Sequence, residues 1–314
     1  MKKNANILCF DGGGIRGIIE LVQLIEFEKL LGEPIQNYFQ YFAGTSTGSI
    51  IAVLLSIGYT PQEILDLYLI HGKKIFDKKF LRFGLLRSKY DDKYFNKVIS
   101  EYTKGKELKD CNATILIPSY NITTQNKVLF KSHKAKENNN YNYKLKDVIR
   151  TSTSAPSYFD CYSINNEYYV DGGLVVNNPS LIMLIEVMKI NKKLNLQYNK
   201  FNLMSFSSGS KYEKITLTDI NGGVLRSVDD IVDIVLVEQA KLTDYLLIEL
   251  YEMLDKIFNI KLGQYTRCIS EIHHSNGKID DASDNNIKNM LLDGKISFNN
   301  NKEKIINFIS IIKD

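Results

Sequence analysis

A serine lies between two glycines at the spacing Gly44-x-Ser46-x-Gly48, in the stretch FAGTSTGSI. This spacing is typical of a nucleophilic serine held on a sharp turn between a strand and a helix. The context fits, because a short apolar run ends at Ala43 and an apolar helical stretch covers Ser49 to Ile57. Glycines on both sides of the serine allow other backbone to approach closely, and the start of the helix would direct N–H groups at Ser46. The motif therefore predicts a nucleophile, with a plain glycine-rich turn as the alternative.

A second glycine-rich turn, in the stretch LCFDGGGIRGIIEL, places Gly12, Gly13 and Gly14 after a strand and before a helix. The spacing Gly12-x-Gly14-x-x-Gly17 also fits the dinucleotide-binding fingerprint of an oxidoreductase. Against that hypothesis, Asp11 would lie beside a pyrophosphate, and the next strand offers no acidic residue for a ribose hydroxyl. Three consecutive glycines also leave backbone N–H groups that can converge on one oxygen, as in an oxyanion hole. From the loop alone both hypotheses stay open, together with a turn that binds nothing.

A serine nucleophile needs a base, and the sequence offers two kinds. Asp171 ends a strand and is followed by Gly172 and Gly173, a turn without side chains that could present its carboxylate to another chain. A desolvated carboxylate can take a serine proton directly. Alternatively, His273 or His274 follows the serine and Asp171 in the chain order of the α/β-hydrolases. Position in the sequence does not decide between a dyad and a triad.

These residues need a sheet to hold them, and the hydrophobic pattern predicts one. Short apolar runs, such as Ile7 to Phe10 and Leu203 to Phe206, alternate with helical patterns along the chain. This alternation predicts an α/β sheet covered by helices. Turns after consecutive strands usually lie at the same edge of a sheet, so the glycine loop and the serine turn should be neighbours. The stretch Asp229 to Phe258 is predicted to form one or two amphipathic helices.

Composition excludes several classes of protein. The 314 residues, 44% hydrophobic and 24% charged, are ordinary for a globular protein of one large domain or two small ones. A net charge of +4 is too mild to indicate a nucleic-acid binder. The 4 cysteines lie far apart in the sequence, which predicts neither a zinc site nor a disulfide framework.

No apolar run is long enough for a secretory signal or a membrane span. We therefore expect a cytoplasmic protein, while delivery by a route without a cleaved signal stays open. The segment Lys73 to Tyr90 carries seven basic residues and one acidic residue among phenylalanines and leucines. Such a mixture suits peripheral contact with an anionic membrane, and a solvated charged face is the alternative.

Taken together, three motifs resemble the patatin-like phospholipase family in their order and spacing. They are Asp11-Gly-Gly-Gly-Ile-Arg16-Gly17, Gly44-Thr-Ser46-Thr-Gly48, and Asp171-Gly-Gly followed by Asn177-Asn178-Pro179. The resemblance extends through KSHKAK, DVIRTSTSAPSYF and LMSFSSGS, and covers about residues 7–209. One departure is RTSTSAPSYF, where the family often has alanines. We expect residues 1–314 to form a single patatin-like domain, with 210–314 as its weaker-matching helical part.

The resemblance implies a three-layer α/β sandwich with a mostly parallel central sheet. It also implies that Ser46 is the nucleophile, Asp171 the base of a Ser–Asp dyad, and Gly12, Gly13 and Gly14 the oxyanion hole, with Arg16 in a structural or electrostatic role. The implied substrate is a glycerophospholipid or related acyl lipid, and no metal or other cofactor is implied. Bacterial relatives include toxins and defence effectors switched on by nucleotide second messengers, so a nucleotide activator is a further expectation. A non-catalytic lipid-binding module remains the alternative, and the sequence gives no oligomeric state.

Overall fold

The structure is a computed structural model that describes residues 3–77, 88–210 and 224–313. Its strands are β1 Lys3–Phe10, β2 Tyr41–Gly44, β3 Thr114–Asn121, β4 Asn126–Lys131, β5 Tyr162–Ile164, β6 Glu167–Asp171, β7 Tyr198–Phe206 and β8 Tyr265–Cys268. Its α-helices are α1 Gly17–Leu31, α2 Thr47–Ser56, α3 Pro61–Ile75, α4 Asp92–Thr103, α5 Ser132–Glu137, α6 Leu145–Thr153, α7 Ser180–Leu194, α8 Val224–Lys256 and α9 Asp284–Lys313.

All the strands belong to one sheet, in the order β5-β6-β3-β2-β1-β7-β8, with β4 paired to β3. The five strands from β3 to β8 in this order run parallel, whereas β4, β5 and β6 pair antiparallel. The turns after β1 and β2 therefore leave the same edge of the sheet, as the sequence predicted.

Helices cover both faces of the sheet. Successive side chains of a strand point to opposite sides, and apolar side chains of β1 point to both. In β1, Leu8 and Phe10 join the core that packs against α1, α2 and α9, and Ile7 and Cys9 join the core that packs against α7 and α8. These four side chains are fully buried. The expected three-layer α/β sandwich with a mostly parallel centre is confirmed.

One feature of the sheet brings distant parts of the chain together. β2 pairs with Thr114 to Leu116 of β3, and β6 pairs with Ser119 to Asn121 of the same strand. β4 occupies the other edge of β3, so β2 and β6 lie end to end along one edge. Because β6 runs antiparallel to β3, its last residue faces the end of β2. The turn after β2 consequently lies beside Asp171.

The helical stretches predicted after Ser46 and from Asp229 are confirmed, and one strand was missed. α3 begins with a capping box between Thr60 and Glu63 and has Pro61 in its first turn. The stretch Asp229 to Phe258, predicted to form one or two helices, lies in the single helix α8 up to Lys256. β8 lies in the part expected to be helical, because a strand of four residues leaves little periodicity in the sequence.

Within the described ranges, no helix combines the length and the apolar character that a bilayer span requires. In the basic segment Lys73 to Tyr90, residues 78–87 lie outside the described residues. At its two ends, Lys73 pairs with Asp284 at 2.8 Å and the Lys89 ammonium lies over the Tyr158 ring.

Candidate active site

Ser46 occupies a strained turn between β2 and α2. Its backbone has φ 51° and ψ −118°, a conformation that residues other than glycine rarely adopt. Close packing surrounds the turn, since a Cβ on Gly44 would lie 1.9 Å from the carbonyl oxygen of Gly48. A Cβ on Gly48 would in turn lie 2.5 Å from the carbonyl oxygen of Phe10. This geometry is that of a nucleophile elbow, which exposes one serine at the end of a buried strand.

Asp171 lies directly beside the serine. Ser46 Oγ donates a hydrogen bond of 2.7 Å to Asp171 Oδ2, and the N–H of Gly173 donates one of 2.7 Å to Oδ1. The Asp171 side chain is buried, and this burial raises the pKa of its carboxyl to about 6 against the opposing hydrogen bonds from Ser46 and Gly173. The carboxylate is therefore a stronger base than an exposed aspartate and is still ionised at neutral pH.

A raised pKa also affects stability, which gives a prediction for Asp171→Asn. The Asp171 carboxyl has a pKa of about 6 in the folded chain and ~3.9 in the unfolded chain, so the folded chain binds the proton more tightly. The resulting stabilisation of the fold is complete below pH ~4 and is lost as the pH rises through 6. Asparagine does not titrate, so it avoids the cost of burying an ionised carboxylate. At pH 8 the free energy of unfolding of the variant should therefore exceed that of the wild type by about 2–3 kcal/mol. At pH 4 this advantage should be nearly absent.

Urea unfolding of both proteins at pH 4 and pH 8 measures the difference. Asp255→Asn, at an exposed position of α8, is the matched control. An Asp171→Asn variant with the same advantage at both pH values would contradict a raised pKa in the folded state.

The glycine loop lies against the elbow, and only part of it is available to a ligand. The sequence predicted the N–H of Gly12 as an oxyanion donor. In the structure this N–H donates to the carbonyl oxygen of Asn177 at 3.2 Å and is therefore not free. Within the described chain, the N–H groups of Gly13 and Gly14 have no acceptor. Gly14 has φ 58°, and a Cβ there would lie 2.2 Å from the carbonyl oxygen of Ile279. The loop thus offers two N–H groups, and the predicted set of three donors needs this correction.

Arg16 lies behind the loop and is buried. Its Nη1 donates to the carbonyl oxygen of Gly277 at 3.0 Å, and its Nη2 lies 3.9 Å from Asp233 Oδ1. These contacts join the end of the loop to α8 and to the segment between β8 and α9. The structural or electrostatic role expected for Arg16 stays a prediction.

An apolar cavity opens at the serine. Its volume is about 1180 Å³, including solvent space at the mouth, and Ser46, Asp171 and the three loop glycines lie in its wall. The remaining wall is mainly apolar, formed by Ile15, Ile50, Leu67, Tyr68, Ile75, Phe76, Phe95, Tyr158, Phe159, Leu174, Leu236 and Ile279. A cavity with such an apolar wall suits a ligand with a long hydrocarbon portion.

The histidines that could complete a triad lie elsewhere. None of the four histidines, all within the described residues, lines this cavity. The His273 side chain is 50% exposed and lies 3.5 Å from Glu271, and His274 is exposed too. Both are fixed through their backbone N–H groups, which donate to Asp293 Oδ1. In this structure the partner of the serine hydroxyl is a carboxylate.

Several residues of the site could not be found from the sequence. The N–H of Ser46 donates to Ser152 Oγ at 3.0 Å, so a hydroxyl from α6 fixes the backbone of the elbow. Ser152 stands in RTSTSAPSYF, which the sequence marked only as a departure from the usual alanines. The carbonyls of Asn177 and Ile279 hold the glycine loop, and backbone acceptors leave no sequence signal.

The motifs that the structure gathers at this cavity match one family along more than half of the chain. The family model for patatin-like phospholipase matches residues 8–184. This chain belongs to the patatin-like phospholipase family. The matched range includes the glycine loop, the elbow and Asp171, which are the elements assembled around the cavity. Family membership and the serine–aspartate contact favour a hydrolase over the dinucleotide-binding hypothesis for the loop.

Individual relatives come from plants and bacteria. Patatin-like protein 3 of Arabidopsis thaliana is 29% identical over 250 residues, covering 65% of this chain and 58% of the relative. A cGAMP-activated phospholipase of Pseudomonas aeruginosa is 32% identical over 187 residues, covering 58% of this chain and 56% of the relative. Both alignments thus span a little over half the length of the relative. The crystal structure of VipD from Legionella pneumophila shares the fold with a TM-score of 0.54 at 12% identity, covering 97% of this chain and 67% of VipD.

Proposed function

We propose that this patatin-like protein is a lipid acyl hydrolase of the phospholipase A type, which cleaves ester-linked fatty acids from glycerophospholipids. The observation that carries the proposal is the hydrogen bond of 2.7 Å between Ser46 Oγ and Asp171 Oδ2, at the wall of an apolar cavity. The cavity can hold an acyl chain while the ester carbonyl reaches the serine. The cGAMP-activated phospholipase among its relatives supports this substrate class.

In the proposed mechanism, Ser46 attacks the ester carbonyl and Asp171 takes its proton. The N–H groups of Gly13 and Gly14 stabilise the negative oxygen of the tetrahedral intermediate. Protonated Asp171 then gives its proton to the leaving alkoxide of the lysolipid. Water, deprotonated by the same carboxylate, releases the fatty acid from Ser46. The elbow supplies orientation, because its strained backbone holds the hydroxyl in place before the substrate arrives.

Phospholipid vesicles and a covalent probe test this proposal together. The wild-type protein, with its activator if one is required, should release fatty acid from the vesicles and react at Ser46 with an alkyl fluorophosphonate. Excess chelator should leave both reactions unchanged, because the mechanism uses no metal; the described residues hold no cluster of ligands for one. Absence of labelling at Ser46 would favour a non-catalytic lipid-binding module. Abolition by chelator followed by calcium rescue would contradict the serine–aspartate mechanism.

The raised pKa of Asp171 predicts the pH dependence of catalysis. Since the base must be ionised, kcat/KM for a soluble ester should fall about tenfold per pH unit below about 6 and level off above it. A histidine base would titrate in a similar range. The variant His273→Ala/His274→Ala separates the two bases: if Asp171 is the base, the variant should keep the pH profile of the wild type. A flat profile down to pH 4.5 in the wild type would contradict Asp171 as the base.

Membrane contact and regulation are further proposals. We infer peripheral attachment of a cytoplasmic protein to anionic lipid through the basic segment Lys73 to Tyr90, on the charge and aromatic content of its sequence. A nucleotide activator is supported by the names of cGAMP-activated phospholipases from Pseudomonas aeruginosa and Vibrio cholerae. A role as a defence effector is a further proposal, which rests on the family resemblance alone. Export as a toxin remains the alternative to a defence role.

A further inference from the structure

The carboxylate just before the glycine loop is bound by an arginine from the far end of the chain. Arg267 Nη1, from β8, donates to Asp11 Oδ1 at 2.8 Å, and Nη2 donates to Oδ2, so the guanidinium grips both oxygens. Nη1 also donates to Ser205 Oγ at 2.6 Å. Both side chains are nearly fully buried, where water screens charges little.

The backbone of Asp11 is fixed as firmly as its side chain. Its N–H donates to Glu20 Oε1 at 3.0 Å and to the carbonyl oxygen of Phe206 at 3.2 Å. Burial raises the pKa of the Glu20 carboxyl well above its usual value, and the nearby charge of Asp11 raises it further. The carbonyl oxygen of Asp11 lies where a Cβ on Gly48 would come within 2.7 Å. Asp11 therefore packs against both the loop and the elbow.

The glycine loop itself has few means of holding its shape. Gly12, Gly13 and Gly14 have no side chains to pack, and glycine backbone has the most conformational freedom to lose. Backbone contacts hold part of the loop, and Ser208 Oγ donates to the carbonyl oxygen of Gly12 at 2.7 Å. The two free N–H groups can stabilise an oxyanion only if both point at one position, and small displacements weaken such stabilisation steeply. An anchor at the residue before the loop would therefore affect catalysis.

We propose that Arg267 is a positioning residue of this active site, which acts through Asp11 to hold the N–H groups of Gly13 and Gly14 where the oxyanion forms. This inference rests on the proposed acyl-hydrolase function. Arg267 lies beyond residues 8–184, the range that the family model matches. The C-terminal part of the chain would thus supply part of the catalytic geometry without touching the substrate.

Two substitutions at Arg267 test the inference. Arg267→Gln removes the positive charge and the paired hydrogen bonds to both oxygens of Asp11. Arg267→Lys keeps the charge but offers a single nitrogen for contact. For a soluble ester, the Gln variant should lose at least about tenfold in kcat while KM stays within about threefold, with the Lys variant in between. A lipid trifluoromethyl ketone, which forms a tetrahedral oxyanion on the serine, should bind more weakly in proportion to the loss in kcat/KM.

A matched control separates positioning from general destabilisation. Phe308→Leu changes a fully buried ring that stacks on Phe39. Phe39 lies just before the first residue of β2, at the end of this strand opposite to Ser46. The substitution should lower the melting temperature while keeping kcat and the affinity for the ketone. If Arg267→Gln fails to fold, the Lys variant decides on the same measurements.

Three results would overturn the inference: a folded variant with kcat within twofold of the wild type, a loss confined to KM, or an equal kcat loss in Phe308→Leu. Failure of the proposed function would be distinguishable, because the wild type would then show no ester hydrolysis that Ser46→Ala abolishes. Retained activity in Arg267→Gln together with an inactive Ser46→Ala would reject the positioning role alone.

Discussion

Ser46→Ala should lower kcat for phospholipid and for a soluble ester by at least about 10⁴-fold, because it removes the only atom that forms the covalent bond. Asp171→Asn should have an effect of similar size. The amide fits the same space, but it cannot take the proton that Ser46 Oγ now donates to Asp171 Oδ2. Single-turnover measurements with the soluble ester, together with thermal unfolding, separate lost chemistry from lost structure.

The histidine pair provides the decisive comparison for this first prediction. If His273 or His274 were the base and Asp171 only oriented it, replacing the histidines would be as damaging as Ser46→Ala. Both side chains are exposed, and neither lines the cavity. We therefore expect His273→Ala/His274→Ala to stay within about tenfold of the wild type, a change of ~1.4 kcal/mol or less in the activation free energy.

The result that would restore the triad is a collapse of activity in the histidine double variant at an unchanged melting temperature. Near-normal turnover by a folded Asp171→Asn variant would instead exclude the aspartate as the base. The dyad therefore requires both outcomes, an inactive asparagine variant and an active histidine variant. Neither result depends on the identity of the natural lipid.

The sequence predicted the fold class because the relevant signals are local. Apolar runs at Ile7 to Phe10 and Leu203 to Phe206 are short enough for buried strands, and they alternate with helical patterns. β8 is too short to leave such a pattern, and the sequence placed it in a helical region. Its recognition matters, since β8 carries Arg267.

From local pattern alone the site was predictable only as separate motifs, and the family resemblance supplied the pairing of Ser46 with Asp171. Spacing and periodicity do not show that β2 and β6 share one edge of β3, which is the arrangement that brings Ser46 to Asp171. The glycines predicted three N–H donors, but the carbonyl of Asn177 already accepts from Gly12. Such contacts between distant backbone groups depend on tertiary packing, so periodicity and spacing cannot reveal them. For the same reason, the role of Ser152 in holding the elbow was missed.

Gly44→Ala should be strongly destabilising, because the new methyl group has no space. The new Cβ would lie 1.9 Å from the carbonyl oxygen of Gly48 and 2.7 Å from the N of Ser49. These are backbone atoms of the first turn of α2, so relief requires the helix to move away from β2. We expect a loss of more than about 3 kcal/mol in the free energy of unfolding, at or beyond the upper range for overpacking.

Gly32→Ala is the matched control, because it adds the same methyl group where nothing lies within 4 Å. Gly32 ends α1 with φ 75°, so alanine there should lose only about 1–2 kcal/mol for its left-handed backbone. Gly44 does not have a left-handed φ, and its requirement is therefore steric. Equal losses for the two variants in urea unfolding would contradict the close approach at the elbow. A much larger loss for Gly44→Ala would mean that the glycine before the nucleophile is needed for backbone packing, whatever reaction the serine performs.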